Sequence, residues 1–477
     1  MRANAQLSLL AERLFPGSSY DALLRSGRIE GCAEDAVGQV RAERGSDADA
    51  VADRAWAEMR QSLAETLAWM LLFRLPDDRL RVVADSWIET QNEMLRRLAA
   101  DRAEIAAKFQ GCAGRVLSLD LDLSDRHRGG RTVAAVTFDS GLKIIYKPRD
   151  IGIEAWFANF QERLNELGAP FPFLAPGTLA RDGYGWTEFA AHKPCQDGDQ
   201  LHRFYRNAGA LLCLLHLLRA TDGHFENLIA CGERPVFVDA ETLFQPSLMA
   251  SDGASVLRTG MLPRLVPSAP SQAPDFGALS CVSPQPVPVP IPAADGIARL
   301  ESATLTPETN VPFSPGAEAA PESFVEEMID GFCQSWQFAA ANRHAILEAM
   351  NGARSESIRY VVRDTLSYYQ AIVAALCAGH LDGLTLRHLS GSKAVFAALE
   401  ESERESLRRL DIPRFNLAAS DASLGSAAGC FPRSGFDLAR DGFDKLTQEE
   451  MEKQVAVIRL SWGLYGAAKS LVGTAKK

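Results

Sequence analysis

Within residues 221–244, TDGHFENLIACGERPVFVDAETLF, three side chains suited to phosphate chemistry fall close together: Asp222, Asn227 and Asp239. Phosphoryl transfer asks a protein for a cation on the nucleotide phosphates, a group that orients the attacking hydroxyl, and oxygen ligands for Mg²⁺. Asp222 and Asn227 stand five positions apart, the step at which a carboxylate orients the hydroxyl while an amide oxygen holds metal. Asp239, read as the last residue of a strand PVFVD, is the second metal-side group. Glu241 is expected on the same side of that strand, as a third ligand or as a solvated carboxylate. His224 either carries a proton or braces Asp222. Lys147 is the candidate cation, and Gly129 with Gly130 forms a loop able to cover phosphates. An Asp–Asn pair at this step also arises by chance, and Asp222 alone reads equally as an ordinary helix-to-loop turn. The chemistry is suggested by the order: lysine, buried helix, Asp-x-His-x-x-Asn, apolar strand, Asp.

The elements that must position these groups are legible as changes of period. RTVAAVTF (131–138) and LKIIYK (142–147) alternate around a turn at Asp139, Ser140 and Gly141, which predicts a β-hairpin ending at Lys147. Pro148 disfavours helical geometry at Lys147 and fixes the strand end. A helix is expected over IEAWFANFQERLNELG, and residues 204–220 predict a helix apolar all round, therefore buried. Residues 1–112 show three- and four-residue apolar steps and read as a helical region. They are followed by an N-lobe over 113–200, a C-lobe segment over 201–320 and a helical region over 321–477. A Pro-rich stretch, roughly 263–321 with PQPVPVPIP at its centre, cannot form a helix or a central strand. It is read as an activation-type or substrate-lid loop, or as a linker. ESIRYVVRDTLSYYQAIVAALCAG is expected to be helical, with Arg359 and Arg363 on one face and Thr365 beyond them.

Bulk properties narrow the classes. The chain has 477 residues, 47% hydrophobic and 23% charged, the composition of a globular protein with a sizeable core. A formal net charge of −11 without a long cationic run speaks against nucleic acid. Nine scattered cysteines without a CxxC pair read as reduced packing thiols, and neither zinc-ligand spacing nor a GxSxG nucleophile stands out. The N-terminal MRANAQLSLLAERLF lacks a signal-peptide pattern. The longest apolar run, AGALLCLLHLL at 208–218, is far below the roughly 18 residues of a membrane span. A cytoplasmic location is expected.

Six separated stretches carry a resemblance: DRHRGGRTVAAVTFDSGLKIIYKPRD, GYGWTEF, TDGHFENLIACGERPVFVDAETLF, SVLRTGMLP, SIRYVVRDTLSYY and LDIPRF. In this order they resemble the dehydratase domain of class II lanthipeptide synthetases over about residues 120–470. The resemblance implies an α+β fold with a bilobal core related to lipid kinases and large helical additions. It implies ATP and Mg²⁺, a ribosomal precursor peptide bound through its leader, phosphorylation of Ser and Thr, and elimination of phosphate to dehydroalanine or dehydrobutyrine. Phosphorylation roles then fall to Asp125, His127, Lys147, Asp222, His224, Asn227 and Asp239, with Glu241 a lesser member, and elimination roles to Arg359 and Thr365. An arginine fork gripping departing phosphate is chemically reasonable for elimination, although an arginine on an amphipathic helix is also an ordinary surface residue.

The family's usual synthetase continues into a zinc-binding cyclase domain, and no such region follows before Lys477. Thioether closure is therefore expected of a separate cyclase if it occurs. The region before Lys147 is shorter than typical, which bears on leader recognition. Three functions stay open: a stand-alone dehydratase, a peptide kinase that stops at the phosphoester, and a non-catalytic module that binds a precursor or a partner synthetase.

Overall fold

A computed structural model describes residues 27–474, apart from 73–76, 250–254, 264–274, 293–297, 315–319, 379–380, 387 and 390. The N-terminal stretch read for a signal peptide, and parts of the Pro-rich segment, lie outside the described residues. The described chain is a mixed α/β structure, rich in helix with small sheets.

Helices α1 (Gly27–Arg44), α2 (Asp53–Leu72) and α3 (Asp77–Lys108) precede strand β1 (Val116–Asp120). The expected hairpin forms as β2 (Ala134–Phe138) and β3 (Lys143–Lys147), its first strand starting three residues later than the alternation suggested. Strands β4 (Thr178–Arg181) and β5 (Tyr184–Glu188) complete an antiparallel sheet of order β1-β2-β3-β5-β4. Val136, Phe138, Ile144 and Trp186 are fully buried between this sheet and the N-terminal helices. Asp101 of α3 ties the sheet edge down by accepting hydrogen bonds from Tyr184, Trp186 and Arg181.

Helix α4 (Gly152–Glu166) leaves the hairpin. Helix α5 (Gly198–Leu217) buries thirteen residues, as its all-round apolar sequence requires. The ribbon β6 (Leu228–Cys231) and β7 (Arg234–Phe237) follows. The Pro-rich centre is folded, pairing as β8 (Gln285–Pro292) with β9 (Ala298–Leu305). Proline has no N–H to donate, so the ladder runs through Val287, Val289 and Ile291, and the prolines fall on positions facing away from β9.

Helices α6 (Val325–Ala341) and α7 (Arg343–Met350) then lead into a region where expectation fails. Residues 357–360 form strand β10 (Ser357–Tyr360), and helix begins only at α8 (Thr365–Cys377). Arg359 therefore lies on a strand, Arg363 in the following turn and Thr365 at the first helical position, so the arginines share no helix face. The β-branched and aromatic residues of SIRYVV suit the extended partner that β11 (Phe415–Ala418) provides. Helices α9 (Glu400–Arg408), α10 (Gly435–Asp444) and α11 (Gln448–Thr474) complete the chain.

Two hydrophobic clusters result. One joins α1–α3, the five-stranded sheet and α8; the other joins α4–α7, α10, α11 and the β10–β11 ribbon. The chain crosses between them repeatedly, among other places from Tyr146 to Ile153, from Val362 to Tyr368 and from Ile412 to Phe415.

Candidate active site

The candidate residues converge where the two clusters meet. Lys147, last residue of β3 and almost fully buried, donates to Glu154 Oε2 at 2.7 Å, to the Val238 carbonyl at 2.8 Å and to Asp239 Oδ1 at 3.5 Å. Arg149, two residues on, reaches Glu154, Asp239 and Glu241. The hairpin lysine thus lies against the Asp239 side of the motif, with a glutamate from the first turn of α4 as its closest partner.

The Asp222–Asn227 loop is held from three sides. Asn227 Nδ2 donates to the Asp222 carbonyl at 2.8 Å, leaving its own amide oxygen for another partner. His224 Nδ1 accepts from the Glu226 N–H at 3.2 Å, so Nε2 carries the proton toward Asp222 Oδ1, 3.5 Å away; this is the bracing geometry. Asp222 itself has φ 63°, in the left-handed region, where aspartate is tolerated better than most residues. Gly223 packs so closely on the Thr259 carbonyl that a Cβ would sit 2.4 Å from that oxygen. Its N–H also donates there, at 2.7 Å. The SVLRTGMLP stretch is thereby a backbone brace for the loop. Burial pushes the Asp222 carboxyl up, partly countered by His224 and Arg359.

Asp239 follows β7 by two residues instead of ending it, and Glu241 lies in a short 3-10 turn. Glu241 is neither solvated nor open to metal. It is 2% exposed, and its oxygens are taken by Arg149 Nε (3.0 Å), Arg359 Nη1 (2.9 Å) and both terminal nitrogens of Arg414 (2.7 and 3.2 Å). Burial would raise this carboxyl, but the three guanidinium groups hold it well below the usual carboxylate range. Its expected metal role is corrected to that of an arginine anchor. Asp239 and Asn227 remain oxygen donors of the type Mg²⁺ accepts.

Two further expectations change. The N–H groups of Gly129 and Gly130, at φ 85° and 83°, point at the Asp411 carboxylate, so this glycine pair holds a side chain of its own chain where phosphate was expected. Arg363 forms a buried ion pair with Glu403, at 2.8 and 3.1 Å, and Glu403 also accepts from Tyr368, so this arginine is engaged by a carboxylate where a fork with Arg359 was expected. Thr365 starts α8 beneath an Asp364 cap that accepts from the Ser367 N–H.

Asp125 accepts from Tyr369 of α8 at 2.8 Å, and His127 Nδ1 donates to the Ile412 carbonyl at 2.7 Å. Burial, then Arg359 and Arg414, push His127 down to about 4, so it is neutral near pH 7 and stands near both arginines. Arg149, Glu154, Arg414 and Asp411 were not singled out from the sequence. All four carried a signal: a strand lysine in a phosphoryl-transfer site calls for a helical glutamate, Arg149 lies in the stretch that ends KPRD, and Asp411 and Arg414 lie within LDIPRF.

Residues 77–418 match the model of a family described as a domain of unknown function, DUF4135. The chain is also 25% identical, over 372 residues, to the lacticin 481/lactococcin biosynthesis protein LcnDR2 of Lactococcus lactis subsp. lactis. That alignment covers 71% of this chain and 40% of the relative, so the chain spans well under half the relative's length. Both matches bear out the resemblance carried by the six motifs.

Proposed function

The chain belongs to the DUF4135 family, and from that premise we propose that it acts in lanthipeptide maturation as a dehydratase with a kinase-like bilobal core. It phosphorylates Ser and Thr of a ribosomal precursor peptide with ATP, then eliminates the phosphate. The observation that carries this reading is the meeting of Lys147, paired with Glu154, and Asp239 beside the braced Asp222–Asn227 loop. The lysine–glutamate pair and the Asp–Asn–Asp order are the parts phosphoryl transfer requires. The relative's printed role in lacticin biosynthesis supports the substrate class.

In this reading Lys147 contacts the ATP phosphates, and Asp222 orients the substrate hydroxyl and takes its proton, its raised affinity for that proton favouring the step. Asn227 and Asp239 would hold Mg²⁺, which neutralises charge on the phosphates. In elimination the Cα–H and Cβ–O bonds of the phosphorylated residue break and a Cα=Cβ bond forms, the Cα proton passing to the departing phosphate, which leaves as hydrogen phosphate. Arg359 grips that leaving group, and Thr365 lies beside its path at the N-terminus of α8.

Co-expression with the precursor peptide encoded beside the gene, followed by mass spectrometry, tests the reading. Loss of water supports it. Retained phosphate favours a kinase that stops at the phosphoester, and an unchanged mass favours a peptide-binding module. Asp222→Ala is expected to leave the peptide unmodified and Arg359→Ala to accumulate phosphopeptide; identical products would contradict the two-step assignment.

A further inference from the structure

Resting on the dehydratase reading, we propose that Arg414 is a positioning residue for elimination: through Glu241 it aims the Arg359 guanidinium at the departing phosphate. Three guanidinium groups meet on the Glu241 carboxylate, and they are not equivalent. Arg414 is the most deeply buried, with 5% of its side chain exposed, and it bonds both carboxylate oxygens. Arg359 is the most accessible at 16% and commits only Nη1 among the described residues, which leaves Nε and Nη2 for phosphate oxygens. Glu241 is thus an anionic hub, with Arg414 locking its orientation from behind and Arg359 held in front.

Charge supports the same arrangement. The linked groups are four cations, Lys147, Arg149, Arg359 and Arg414, and three carboxylates, Glu154, Asp239 and Glu241. With Asp222, which also interacts with Arg359, the carboxylates match the cations in number, so the guanidinium groups are held in place by charge pairing and not by a surplus of either sign. The backbone places Arg414 by the strand that carries its target. It immediately precedes β11, whose Asn416 pairs with Arg359 of β10. The residues just before it are strapped to the 125–130 loop: Asp411 accepts from Gly129 and Gly130, and Ile412 accepts from His127. Gln245 Nε2 adds a 2.8 Å bond to the Arg359 carbonyl, fixing the strand on its other side.

The test measures the two steps separately on the full chain with the co-expressed precursor. Arg414→Met is expected to lower the ratio of eliminated to phosphorylated product by roughly 10- to 100-fold, the cost of a misaimed group. Arg414→Lys, which can still reach Glu241, recovers part of it. A wild-type ratio in Arg414→Met, or equal loss of both steps with no rescue by lysine, overturns the inference. A second readout does not depend on turnover. Titration of inorganic phosphate by calorimetry should show weakened affinity in both Arg359→Met and Arg414→Met, by about tenfold or more. Unchanged affinity in Arg414→Met overturns the inference. An inactive wild-type chain would sink the dehydratase reading alone, because the phosphate titration still decides the role of Arg414.

Discussion

At the scale of single residues, the site is a set of groups whose protonation is set by burial and by neighbouring charge. His127 gives a measurable consequence. Unfolded it titrates near its ordinary 6.5, and folded it is pushed down to about 4. Above about pH 6.5 both states are neutral there and its full stability is present. As pH falls toward 4, the unfolded chain takes up a proton that the folded one refuses, and stability falls by about 3 kcal/mol. His127→Asn keeps a donor for the Ile412 carbonyl and removes the titration. Its urea midpoint should therefore fall less than the wild type's between about pH 7 and about pH 4.5; parallel curves would contradict this. The residues that could be named from sequence are those whose chemistry is local: Asp222, His224 and Asn227 belong to one loop and brace one another there. Glu241 was misjudged because its partners, Arg149, Arg359 and Arg414, lie 92, 118 and 173 positions away. No pattern within a stretch records such pairing.

At the scale of elements, the β2–β3 hairpin was legible because alternation, turn residues and Pro148 agree. Strand β10 was not, because four extended residues stand between helical patterns and their partner β11 lies more than fifty residues downstream. Tertiary pairing overrides local period there. The turn after β10 is fixed by the Arg363–Glu403 pair; the sequence suggested Arg363 as chemistry, and the fold ties it to a glutamate forty residues on. Glu403→Ala removes the carboxylate that the buried Arg363 guanidinium and the Tyr368 hydroxyl both bond, and is expected to cost about 3–5 kcal/mol. The double substitution Arg363→Met with Glu403→Leu should cost less than the single one in urea melts, and a larger cost would argue against a purely structural pair.

At the scale of the whole molecule, the N-terminal core is completed by residues from the far end of the chain. Tyr368, Ile372, Leu376, Leu407 and Ile412 pack with the α1–α3 helices and the five-stranded sheet. Each such side chain contributes roughly 1.5–3 kcal/mol by burial, so a fragment ending at residue 320 is expected to show no cooperative thermal transition by circular dichroism. Adding residues 321–477 as a second polypeptide should restore one, and a fragment that melts cooperatively alone would show the two cores to be independent. The sequence divided the chain at composition changes and could not show that the third quarter leaves one core and the last returns to it. The proline ladder of β8 acts at this scale too. With its ring nitrogens along the margin away from β9, which pairs with no strand among the described residues, β8 offers carbonyls and no amide hydrogens there, so a strand from a neighbouring molecule finds only half of the bonds it needs to add on, and the ribbon is a poor seed for fibrils.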